Sequence, residues 1–102
     1  MPLLPLALIL SLSQADDPWA SLRPRVESAP GKVAKFIQRR AGCNHFLGEE
    51  PYDPERAAEL RKVLRELRCN RIGRDERQLA RRYRGRPEIV QLLKDTEPLI
   101  GW

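Results

Sequence analysis

One histidine, two cysteines and six aromatic residues leave this 102-residue chain little with which to build a reaction centre. Past the first fifteen residues only Ser21, Ser28 and Thr96 carry an aliphatic hydroxyl, and none lies near His45 in sequence, so a Ser-His hydrolase arrangement has little support. No glycine-rich phosphate loop and no dinucleotide fingerprint occurs, and no cofactor is expected. No segment alternates apolar and polar residues with period two, so no sheet is expected. Internal repeats and low-complexity tracts are absent as well.

Charge is also missing from one place in particular, the apolar stretch Met1 to Ala15. Residues 2–12 supply about eleven residues of hydrophobic core segment, and Ser13-Gln14-Ala15 offers the small side chains of a cleavage site. A spanning helix needs roughly 20 apolar residues, and Pro2 and Pro5 interrupt this one. The reading is therefore a signal peptide over 1–15, although it has no Lys or Arg at its start. A periplasmic or secreted protein with no membrane span after cleavage follows.

Cleavage leaves 87 of the 102 residues, a chain that buries roughly 60–65% of its unfolded surface and gains from a covalent staple. Cys43 and Cys69 are the only candidates for one. A metal site recruiting Cys43, His45 and Cys69 is the alternative, but it lacks paired zinc spacing and a fourth ligand.

The expected fold is all-α, a small bundle of about four short helices. Residues 16–29, broken by Pro18, Pro24 and Pro30, read as a flexible, extended linker, and 30–102 as a single helical domain. Val33, Phe36 and Ile37 recur at helical spacing in a first helix stopped by Gly42. Asp53 caps the clearest helix, with Pro54 in its first turn and Ala57, Leu60, Val63, Leu64 and Leu67 on one face, ending near Cys69. A third helix begins at Asp75 and carries Leu79 and Tyr83; a fourth opens at Pro87 with Ile89, Leu92 and Leu93 inward. If a bridge sets Cys43 beside Cys69, residues 44–52 must run back along a helix about 24 Å long as an extended strap. The terminal residues 99–102 are apolar and suited to closing the core, with docking on another envelope component as the alternative.

Basic residues are concentrated. Residues 61–86 hold eleven basic side chains against three acidic, a local +8, while the remaining eight basic and eleven acidic residues leave −3, for a net +5. Arg61, Arg65 and Arg68 fall at i, i+4, i+7, and Arg77, Arg81 and Arg84 repeat that spacing. No Glu or Asp stands three or four residues before any of them to form a helical ion pair. Guanidinium groups of this kind suit carboxylates and phosphates through bidentate hydrogen bonds. Ordinary solvated arginine in a chain with fifteen Arg and four Lys is the plainer explanation. Nucleic acid is disfavoured as a partner because the aromatics do not interleave with the basic stripes. Glu49 and Glu50 near the start of the second helix form a possible acidic binding edge. With His45 they also give the enzymatic or metal-binding alternative.

The segments 42–53 (GCNHFLGEEPYD) and 67–72 (LRCNRI), followed by Asp75-Glu76 and Arg82-Tyr83, resemble a set of short exported bacterial proteins of uncharacterised function. That resemblance implies export and a paired Cys43 and Cys69, and carries no activity or ligand. In architecture the chain also resembles small cysteine-stapled helical periplasmic inhibitors, whose cationic targets a +5 protein would meet only through its acidic strap. The expectation is a small exported, non-enzymatic protein that binds an anionic or protein partner in the cell envelope. A structural or assembly role in the envelope is the further alternative.

Overall fold

A computed structural model describes residues 17–102; the expected signal peptide, 1–15, lies outside the described residues. Five α-helices follow in order: α1 (Arg23–Glu27), α2 (Gly31–Leu47), α3 (Pro54–Glu66), α4 (Ile72–Arg82) and α5 (Pro87–Asp95), with a 3-10 turn over Cys69–Arg71 between α3 and α4. Among the described residues there is no strand, and the protein is an all-α bundle stapled by a Cys43–Cys69 disulfide with Cα atoms 5.6 Å apart.

Local chemistry sets several helix ends. The Asp53 carboxylate accepts the Arg56 backbone N–H at 2.7 Å, and Pro54 follows in the first turn of α3. Pro87 opens α5 in the same way. The C-terminus of α3 is closed from elsewhere in the chain. Arg68 adopts a left-handed conformation, φ 53°, at a position where glycine is the usual residue. The Arg39 guanidinium of α2 donates to the Leu67 carbonyl at 2.6 Å and the Arg68 carbonyl at 3.3 Å. A cation thus satisfies carbonyls at a helix end whose dipole favours it.

The core is organised around α2. Val33, Phe36, Ile37 and Ala41 pack with Val26 of α1, with Ile89, Leu92 and Leu93 of α5, and with Trp19 and Leu99; Ile72, Leu79 and Tyr83 from α4 and the turn after it cover one side. α3, the clearest helix in the sequence, buries only Leu60 fully. It is held to α2 by the disulfide and by Arg39 rather than by a broad apolar face.

Two expectations are corrected. The segment 16–29 is not an extended linker over its described part: α1 forms there, Trp19 is 4% exposed and Val26 is fully buried. Its prolines punctuate rather than extend, since Pro24 lies in the first turn of α1 and Pro30 immediately precedes α2. The Asp17 carboxylate accepts the Trp19 backbone N–H at 2.9 Å and pairs with Arg23 at 3.0 Å, which shapes the turn before α1.

The second correction concerns the strap. Gly42 does not end α2, which runs on through Cys43 and His45 to Leu47, so the first half of the supposed extended strap is helical. A helix-interior glycine costs roughly 1 kcal/mol relative to alanine. Burial of Ala41 and Cys43, with the Leu67 side chain 3.5 Å from where a Cβ on Gly42 would sit, outweighs that cost. Only 48–53 remains a non-helical connection between α2 and α3.

At the C-terminus the apolar tail closes the core. Leu99 is buried, the Gly101 N–H donates to the Ala41 carbonyl at 3.0 Å, and the Asn44 amide donates to the Glu97 and Leu99 carbonyls. The turn uses the left-handed region at Gly101, φ 71°, and sets the Trp102 ring edge-on to Trp19 at 4.8 Å.

Candidate anion-binding cleft

One arginine of α2 is an internal pin. Arg40 is buried, pairs with Glu76 of α4 at 2.8 Å, and donates to the Leu93 carbonyl at 2.6 Å and Thr96 Oγ1 at 2.9 Å. Beside it Arg39 reaches Asp75 at 2.7 Å. These two ion pairs lock α4 across α2 and consume both acidic residues at the start of α4. The Asp75 carboxyl is held below its ordinary 3.8 first by the Arg39 hydrogen bond and then by the nearby positive charge of Arg39, Arg74 and Arg71.

The crossing of α2 and α4 leaves an open cleft of about 940 Å³. Lys32 and Lys35 stand on the α2 wall; Arg81 and Arg82 stand on the α4 wall, with Arg84 in the turn beyond it. The half-buried Leu79 gives the cleft apolar surface, and Phe36, 4% exposed, adds little to it. Among the described residues the only carboxylate at its edge, Asp75, is already neutralised by Arg39. Lys32, Lys35, Arg81, Arg82 and Arg84 enter no salt bridge among the described residues. Five cations therefore surround one concavity without a compensating acid, and each raises the local potential felt by the others.

The six arginines singled out in the sequence are divided by the fold. Arg81 and Arg84 line this cleft. Arg65 and Arg68 line a second depression of about 870 Å³ beside the disulfide, with Leu47, Leu64 and Cys69. Arg61 and Arg77 are exposed and line neither. Lys32, Lys35 and Arg82 were missed as site residues. The signal for two of them was present, because Lys32, Lys35 and Arg39 repeat at i, i+3, i+7 along one side of α2.

The acidic edge is not free. Both Glu49 oxygens accept from Arg56, at 2.6 and 2.7 Å, and the hydrogen bonds from Arg56 hold the Glu49 carboxyl below its ordinary 4.5. Arg56 also bonds Glu59 at 3.0 Å, and its own pKa is raised by the two carboxylates. Glu50 is exposed. His45 is exposed on the last turn of α2, edge-on to Phe46 at 4.8 Å. The Cys43, His45 and Cys69 metal alternative is corrected by the disulfide, which takes both sulfur atoms out of the thiolate form a metal requires. Among the described residues no three His, Cys, Asp or Glu side chains are grouped to hold a metal ion.

No protein-family model, curated protein or solved structure matches the chain.

Proposed function

We propose that this chain is an exported, non-enzymatic binding protein of the cell envelope, periplasmic or secreted, and that the cleft between α2 and α4 takes an anionic partner. The observation that carries the reading is the set of five cations around that cleft with no acid to pair them. A solvated arginine surface spends its charge evenly over exposed helix faces. Here lysines from one helix and arginines from another meet across a concavity, while the acids of α4 are spent on Arg39 and Arg40.

Two features support the compartment: the apolar stretch 1–15, which ends in the small residues a signal peptide carries, and a formed disulfide. The test is calorimetric titration with inorganic tripolyphosphate at low and at physiological ionic strength. Binding is expected, weakening as salt screens the cleft, and Arg81→Glu with Arg84→Glu should abolish it. No binding at low salt, or equal binding by the double variant, overturns the proposal.

A further inference from the structure

The lining of the α2/α4 cleft has two chemistries side by side. Lysine and arginine residues line it together with the half-buried Leu79, while Phe36 is only 4% exposed there. Phe36 is already flanked by cations, with the Arg39 and Arg40 guanidinium carbons 5.7 and 5.0 Å from its ring centroid. A fully hydrated inorganic anion gains nothing from apolar lining. A ligand that joins a compact anion to a hydrocarbon body uses both surfaces, and small-molecule sites commonly combine mainly apolar walls with a few charged anchors.

The anion itself is constrained by the donors. Arg81, Arg82 and Arg84 offer planar forks suited to bidentate contacts, and Lys32 and Lys35 add point charges from the opposite wall. Several cations lining one cleft match a phosphate, with three acceptor oxygens and up to two negative charges, better than a single carboxylate. Resting on the anion-binding reading above, we infer that the cleft binds the phosphate headgroup of an anionic lipid, with the first carbons of its acyl chains against the half-buried Leu79. The phosphate bridges the two walls. The aliphatic stems of Lys32 and Lys35 extend the apolar contact while their ammonium groups reach the phosphate.

The experiment compares three soluble probes by calorimetry on the full exported chain with its disulfide intact: glycerol phosphate, dihexanoyl phosphatidic acid below its micelle concentration, and dihexanoyl phosphatidylcholine. The first two share a phosphomonoester and differ in their acyl chains. Phosphatidic acid is expected to bind at least about tenfold more tightly than glycerol phosphate, the gain from burying roughly two methylenes. Phosphatidylcholine, whose phosphate is already internally balanced, should bind more weakly than either. Arg81→Glu with Arg84→Glu should lose both phosphomonoesters, and Lys62→Glu with Lys94→Glu, an equal charge change away from the cleft, should retain them.

Equal affinity for glycerol phosphate and phosphatidic acid overturns the lipid inference and leaves the anion-binding proposal standing. Failure of every phosphate probe, tripolyphosphate included, overturns both. Phosphatidylcholine binding as tightly as phosphatidic acid, or an equal loss in the Lys62 and Lys94 variant, removes the cleft's cations from the account and overturns the inference.

Discussion

Substituting Glu76 by glutamine keeps the shape of the side chain and removes the charge paired with Arg40. The Arg40 side chain is 3% exposed and that of Glu76 26%, so the pair lies between two regimes. Removing one partner of a fully buried pair costs roughly 3–5 kcal/mol, because the other charge is left desolvated, whereas an exposed pair is worth about 0–1 kcal/mol. For this pair, with one end buried and the other partly wet, Glu76→Gln is expected to cost about 2 kcal/mol. Arg40→Met removes the buried charge as well, and it takes from the Leu93 carbonyl its 2.6 Å donor, leaving the longer 3.5 Å contact from Thr96 Oγ1, which keeps its bond to the Leu92 carbonyl. The double variant should therefore be no less stable than Arg40→Met alone, because the cost of Glu76→Gln exists only while Arg40 is charged and buried. Urea unfolding followed by tryptophan fluorescence and far-ultraviolet circular dichroism gives the four stabilities of the cycle. Glu88→Gln, which breaks a pair with side chains 52% and 62% exposed, is the reference. Equal losses for Glu76→Gln and Glu88→Gln would refute the claim that Arg40 is an interior pin.

Replacing Cys43 and Cys69 together by alanine opens a loop with a sequence separation of 26. The chain-entropy account expects a loss of roughly 3.5 kcal/mol in urea unfolding, and a loss under about 1 kcal/mol would mean the bridge constrains little. Trp19→Ala removes a side chain held between the core and Trp102, and should cost roughly 3–5 kcal/mol and expose residues 17–29 to limited proteolysis. A neutral result would detach that segment from the fold. Asp17, Glu49, Asp75 and Asp95 all hold carboxyl pKa values below their ordinary 3.8 or 4.5, through hydrogen bonds from neighbouring groups. The unfolded chain binds more protons than the folded one in that range, so their contribution is complete above about pH 5 and is lost as pH falls through the depressed folded values. Asp75→Asn should lower stability at neutral pH and flatten its acid dependence; an unchanged acid limb would contradict the Arg39–Asp75 contact.

Much of the local architecture was legible because it follows from short-range chemistry. Asp53 with Pro54 marks a helix start in any context, Pro87 marks another, and Ile89, Leu92 and Leu93 recur with the period that buries one face. With two cysteines only one intramolecular pairing exists. Gly42 misled because its intrinsic penalty is small and the burial that outweighs it depends on neighbours distant in sequence. The segment 16–29 misled for the same reason: three prolines describe an extended chain unless a core stands ready to receive the Trp19 indole.

The chain's own residues thus determined an all-α class, the disulfide pairing, several helix boundaries and the excess of positive charge, since each depends on propensity, capping or count. Tertiary packing alone decided which cations would meet. Arg40 left the surface because Glu76, Leu93 and Thr96 take the place of water at its two Nη groups, and Arg39 went to the end of α3 and to Asp75. Lys32 and Lys35 came to face Arg81, Arg82 and Arg84 only because α4 lies across α2. Linear spacing specifies the face of one helix; it does not specify which other helix that face will oppose.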